Sequence, residues 1–78
     1  MRVTWETKLV TEGKAKRLKQ NTFELLLDGY HLFPIGEELT LYKTAASEPS
    51  GTATVSSLKW EADQTVLRYE LHSLHSTN

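Results

Sequence analysis

The feature that most constrains this chain is the alternation of apolar and polar side chains with a period of two residues. In the strongest example, Leu67, Tyr69 and Leu71 alternate with Arg68 and Glu70. Successive side chains of a strand point to opposite faces, whereas helical patterns repeat about every 3.6 residues, and no long segment of this chain shows that repeat. The alternation predicts an all-β fold in which each strand buries one face.

Segments with this pattern recur along the whole chain and are separated by turn-forming residues. The predicted strands are residues 3–10, 22–28, 30–35, 38–44, 52–60 and 65–71. Trp5 is the predicted core anchor of the first strand. Residues 13–21 form a polar connection whose helix formers favour a single helical turn at most, and residues 45–51 form a loop by composition.

Two irregularities are predicted from local sequence. Asp28-Gly29 indicates a hairpin between the strands on either side, because glycine readily adopts the positive φ of a tight turn. The alternation also changes parity after Val55, and a β-bulge near Ser56 and Ser57 would restore it. Bulges of this kind curl small sheets.

Chain length limits how these strands are arranged. The 78 residues form a single domain over 1–78, with a polar C-terminal tail from about residue 72. Strands that close on themselves form a small barrel, and closure removes the exposed edges that invite aggregation. We therefore predict a small antiparallel barrel or rolled sheet of five to six strands.

Composition excludes several classes of function. The chain has no cysteine, hence no disulfide and no thiolate nucleophile or metal ligand. Its net charge of −1 gives no bulk attraction to nucleic acid or anionic lipid. No apolar run approaches the roughly 18–20 residues of a membrane span. These features predict a soluble cytoplasmic protein without a membrane partner.

A basic run offers one candidate binding site. Lys14, Lys16, Arg17 and Lys19 are four of the nine basic residues in the chain. On a small rolled sheet, a basic loop can contact phosphates, which makes weak nucleic-acid binding one hypothesis. The alternative is a solvated loop that keeps the protein soluble. Basic residues elsewhere share strand faces with acids, which argues against an extended nucleic-acid surface.

An aromatic segment offers a second candidate site. Tyr30, Leu32 and Phe33 lie in an extended segment that Pro34 ends, because proline cannot donate to a strand ladder. If one face of this segment stays exposed, it forms a surface for a protein partner. The alternative, stronger for Phe33 than for the others, is that these side chains belong to the core.

No catalytic or metal-binding set is recognisable. His72 and His75 are three residues apart, a spacing that sends two strand side chains to opposite faces. Ser73 and Ser76 stand beside these histidines, but no glycine-flanked nucleophile turn accompanies them. We predict no enzymatic activity, no metal and no cofactor.

Several strand patterns together resemble a family of short proteins from Bacillus-type bacteria that is classed as a domain of unknown function. The patterns are Phe33-Pro34-Ile35-Gly36, Leu39-Thr40-Leu41, Gly51-Thr52-Ala53-Thr54-Val55, Trp60 and Thr65-Val66-Leu67-Arg68-Tyr69-Glu70-Leu71. The resemblance covers nearly the whole chain and implies a cytoplasmic bacterial protein. It carries no catalytic or binding residues to transfer.

These observations lead to a non-enzymatic protein-interaction or accessory module with an unknown protein partner. Nucleic-acid binding through the basic run is the alternative. Monomer and homodimer are both compatible with the sequence.

Overall fold

A computed structural model describes residues 1–74 as strands joined by short connections, with no helix in that part of the chain. The strands are β1 (Val3–Trp5), β2 (Lys8–Val10), β3 (Lys16–Lys19), β4 (Thr22–Asp28), β5 (Tyr30–Leu32), β6 (Glu38–Tyr42), β7 (Pro49–Glu61) and β8 (Gln64–Leu74). The all-β class predicted from alternation is confirmed. Accordingly, no helix within these residues is long and apolar enough to cross a membrane.

The strands form two sheets. A six-stranded sheet has the order β2-β6-β7-β8-β4-β3, and a two-stranded sheet pairs β1 with β5. Most neighbours are antiparallel, but β1 runs parallel to β5 and β2 runs parallel to β6. Parallel pairing needs residues far apart in sequence, which alternation alone does not reveal.

Two pairs of consecutive strands connect the two sheets, and each pair is nearly continuous along the chain. β4 passes into β5 through Gly29 alone, whose φ is +83°, and β1 is separated from β2 by only residues 6 and 7. The Asp28-Gly29 hairpin prediction is therefore wrong, because the glycine bends one strand from the large sheet into the small one. The edge strands β2 and β3 are not paired with each other within residues 1–74. The strands of residues 1–74 thus follow the rolled-sheet alternative and do not close into a barrel, and they number eight where five to six were predicted.

The β7–β8 hairpin forms the centre of the large sheet. Its turn residues Ala62 and Asp63 have φ of +52° and +63°, the left-handed values that two-residue hairpin turns require. The ladder shifts register between Val55 and Ser57, so the predicted bulge is confirmed. β8 also continues to Leu74, past the point at which the polar tail was predicted to begin.

The core lies inside the roll and combines side chains from β2, β4, β6, β7 and β8 of the large sheet with Phe33, which follows β5. Its buried members are Leu9, Leu25, Phe33, Leu39, Leu41, Ala53, Val55, Leu67 and Tyr69. Trp5 is not among them: 58% of its surface is exposed, so its predicted role as a core anchor is wrong. The predicted polar connection contains strand β3 in place of a helical turn, because its backbone pairs with β4.

Candidate functional site

The two-stranded sheet presents an exposed apolar face. Its parallel register places Val3 beside Tyr30 and Trp5 beside Leu32. Paired residues and every second residue share a face, so these four side chains lie together. The exposed fractions are 41% for Val3, 58% for Trp5 and 40% for Leu32. We call these four side chains the β1–β5 face.

Tyr30 joins the β1–β5 face to the end of the long hairpin. Its ring lies against the Trp60 ring, with centroids 5.1 Å apart and planes tilted by 48°. Its hydroxyl donates to Asp63 Oδ1 at 3.1 Å and accepts the Asp63 backbone N–H at the same distance. Two rigid attachments therefore hold this half-buried edge of the face.

His31 points to the opposite side of β5 and connects the small sheet to the rest of the molecule. Its Nδ1 is 2.7 Å from Glu6 Oε2, and its Nε2 is 2.8 Å from the Asp28 carbonyl oxygen. Its backbone N–H donates to Thr65 Oγ1 at 2.9 Å, and its carbonyl accepts Trp60 Nε1–H at 2.8 Å. These contacts connect the bend between β1 and β2 to the bend between β4 and β5, and join both to the β7–β8 hairpin.

Two of the three residues predicted to form a partner surface lie on the β1–β5 face, and the third does not. Leu32 is exposed and Tyr30 is half-buried, but Phe33 is only 4% exposed and belongs to the core. Phe33 follows Leu32 along an extended chain, so the two side chains point to opposite sides, and Phe33 takes the inner one. Val3 and Trp5 were missed because their neighbours across the sheet depend on a parallel pairing.

The four residues of the basic run do not form one surface. Lys14 makes an exposed ion pair with Glu12, with Nζ 3.6 Å from Oε1. Lys16 and Arg17 are adjacent on β3 and point to opposite faces, and the register shifts before Lys19. A short, bulged, lysine-bearing edge strand is a common protection against pairing with another chain. Nucleic-acid binding through these residues stays a prediction.

A concave surface opens at the mouth of the roll, away from the β1–β5 face. It has a volume of about 560 Å³, and we call it the mouth groove. Phe23, Leu41, Tyr69 and Leu71 contribute apolar surface to it. Burial raises the pKa of the Tyr69 hydroxyl to about 12 because the phenolate would be poorly solvated there.

The histidines singled out in the sequence do not form a metal site in the described part of the chain. His72 Nε2 lies within hydrogen-bond distance of Thr54 Oγ1, and His75 lies outside the described residues. Among residues 1–74, no three histidine, aspartate or glutamate side chains are grouped closely enough to hold a metal ion.

Comparison with known proteins identifies relatives of the whole chain. The profile of a family described as "Domain of unknown function (DUF2584)" matches residues 1–78. The chain is 44% identical over 78 residues to the uncharacterized protein YtmB of Bacillus subtilis (strain 168), covering 100% of this chain and 98% of that protein. The crystal structure of YtmB from Bacillus subtilis superposes with a TM-score of 0.95, covering 100% of this chain and 96% of that one.

Proposed function

This chain belongs to the DUF2584 family of domains of unknown function, and we propose that it is a non-enzymatic protein-interaction module whose binding site is the β1–β5 face. Its occupant is an extended segment of a partner protein that adds a strand beside β1. Alternate apolar side chains of that segment continue the exposed face.

The observation that carries the proposal is the exposure of a tryptophan within a fixed apolar face. Trp5 leaves 58% of its surface in solvent, and exposed Val3 and Leu32 adjoin it through the register of the small sheet. Tryptophan and tyrosine are the residues most enriched among those that dominate binding energy at protein interfaces. A face already ordered by the His31 contacts loses little conformational freedom on binding.

The difference between two edge strands explains why the partner segment is assigned to β1. β3 bears Lys16, Arg17 and Lys19 and is interrupted by a register shift, features that oppose pairing with a further strand. β1 reads Val3-Thr4-Trp5 and pairs regularly with β5 on one side only within residues 1–74. Its free N–H and C=O groups suit the addition of a strand, and the side chains at its two ends confer specificity.

Site-specific photocrosslinking in cells of the organism that carries this gene tests the proposal. A photoreactive phenylalanine derivative replaces Trp5 in one variant and Leu26 in the control, since Leu26 on β4 is also exposed (48%). We expect a discrete adduct from position 5 that is absent from position 26 and is lost when Leu32→Ser is added. Identical adducts from both positions, or none, would overturn the proposal. An adduct of two copies of this chain would replace the foreign partner with a homodimer.

The partner that crosslinking identifies is then purified by itself, and its affinity for each variant shows how much a side chain contributes to binding. Trp5→Ala should weaken binding by about thirtyfold or more, the loss typical of a dominant interface residue. Lys16→Ala, on the protected edge, should leave the affinity unchanged. The cytoplasmic location predicted from the sequence stays a prediction, which fractionation of the same cells would check.

A further inference from the structure

The mouth groove is a concave site that shares no lining residue with the β1–β5 face. Its volume of about 560 Å³ falls within the roughly 300–1,000 Å³ typical of small-molecule sites. Its lining comes from β3, β4, β6, β7 and β8, from the connection after β2 and from the connection between β6 and β7. Openings of rolled sheets and barrels are frequent ligand sites because several strands and loops converge there.

The floor of the mouth groove is suited to an apolar body. The rings of Phe23 and Tyr69 are stacked with centroids 5.3 Å apart and planes within 9°, and Leu41 and Leu71 extend the apolar surface. The Tyr69 hydroxyl has no hydrogen-bond partner among residues 1–74. One polar group thus remains unengaged at an otherwise apolar surface.

The charged side chains in the remainder of the lining favour the binding of an anion. Among the lining residues within 1–74, Arg17 and Lys43 are the cations and Glu48 is the acid, which leaves a formal charge of +1 for that part of the lining. The Arg17 guanidinium carbon lies 5.4 Å from the centroid of the Phe23 ring, so the cation is held above the apolar floor. Neither cation forms an ion pair with any residue within 1–74.

We propose that the mouth groove binds a small organic carboxylate with an apolar body, such as a medium-chain fatty acid. The carboxylate lies at Arg17, whose planar guanidinium can donate two parallel hydrogen bonds to it. Lys43 adds to the positive potential, and the hydrocarbon covers the Phe23 and Tyr69 rings. A neutral or cationic ligand of the same shape lacks the charged contact and binds more weakly.

Calorimetric titration with decanoate below its micelle concentration tests this proposal, with decan-1-ol and decylammonium as ligands matched in chain length. We expect decanoate to bind at least about tenfold more tightly than either. Arg17→Gln should weaken decanoate binding by about tenfold and leave decan-1-ol unchanged. The matched control is Lys16→Gln, on the other face of the same strand, which should change neither.

Amide chemical shifts locate the bound ligand and separate this site from the one proposed above. Decanoate should shift signals of groove residues such as Phe23 and Leu41, and Trp5→Ala should bind decanoate normally. Three results would each overturn the proposal. Decanoate and decan-1-ol would bind with equal affinity, Lys16→Gln would have the same effect as Arg17→Gln, or the shifts would be centred on the β1–β5 face. Lys43→Gln provides a second charge variant if Arg17→Gln fails to fold.

Discussion

The two sheets use the same alternating sequence pattern in different ways. In the six-stranded sheet, the inward side chains of central strands are covered on every side, and Leu25, Val55 and Leu67 have no exposed surface. In the two-stranded sheet, strands of only three residues leave Val3 and Trp5 uncovered. Alternation therefore defines a face without saying what that face contacts.

The forces that hold the two sheets also differ. Apolar burial stabilises the large sheet, and each fully buried side chain of this size contributes roughly 1.5–3 kcal/mol. The small sheet is attached largely through polar contacts, and one buried hydroxyl makes two of them: Thr65 Oγ1 donates to the Gly29 carbonyl at 2.8 Å and accepts the His31 N–H at 2.9 Å. The small sheet can therefore be weakened while the large one remains folded.

The largest expected effect lies in the large sheet. Leu67→Ala removes a fully buried side chain from the middle of β8 and should lower the free energy of unfolding by about 2–5 kcal/mol. Leu26→Ala, at a 48% exposed position on β4, should cost less than about 1 kcal/mol. Urea denaturation followed by circular dichroism measures both. Similar losses would mean that the roll does not enclose its core as described.

A smaller effect is expected where the small sheet attaches. Thr65→Val keeps the side-chain shape but leaves the Gly29 carbonyl and the His31 N–H without this partner, at a cost of about 1–3 kcal/mol. Hydrogen exchange should accelerate more at the amides of β1 and β5 than at those of β7. Thr4→Val, at an exposed position on β1, is the control and should change neither quantity. Uniform acceleration in all strands would show that the two sheets open as one unit.

A third prediction concerns alkaline pH. The Tyr69 phenol has a pKa of about 12 in the native state, against 10.0 in the unfolded chain, because burial penalises the phenolate. The unfolded state therefore loses this proton first, and stability that is fully present below about pH 10 is lost as the pH rises towards about 12. In Tyr69→Phe, the latest phase of phenolate absorbance should disappear, and stability should depend less steeply on pH. An unchanged titration curve would contradict the buried position of Tyr69.

The smallest effect on stability is expected at the β1–β5 face itself. Trp5→Phe should change the free energy of unfolding by no more than about 0.5 kcal/mol, because the side chain is largely in solvent. It should also remove most of the fluorescence that acrylamide quenches, since the remaining indole of Trp60 is half-buried and hydrogen-bonded. Quenching that stays the same in the variant would show that Trp5 is covered.

Local sequence patterns predicted the strands more successfully than the surfaces. The strand over Thr22–Asp28 and the bulge near Ser56 follow from side-chain parity, which depends only on neighbouring residues. The exposure of Trp5 does not, because it depends on pairing with β5, more than twenty residues along the chain. Gly29 shows the same limit: its positive φ was predicted, but the path of the chain after it depends on the second sheet.

Of the four side chains on the β1–β5 face, the sequence singled out Tyr30 and Leu32 and left out Val3 and Trp5. Phe33 was misplaced because the parity that exposes Leu32 directs its neighbour inward. The mouth groove escaped prediction altogether, since Arg17, Lys43 and Tyr69 are distant in sequence and meet only when the sheet rolls. The position of a site made from several strands depends on which strands are neighbours and in what register, and local sequence patterns do not contain that information.

The central position of the β7–β8 hairpin has a consequence for the order of events during synthesis. These strands follow the other six along the chain. β6 can pair with β2, and β4 with β3, before the hairpin is made, but these two halves of the large sheet are joined only through β7 and β8. A nascent chain that has reached Tyr42 therefore lacks the two strands that join its earlier strand pairs into one sheet. Formation of the core must therefore wait for the hairpin, and a chain that ends before β7 would leave the apolar faces of both halves exposed to aggregation.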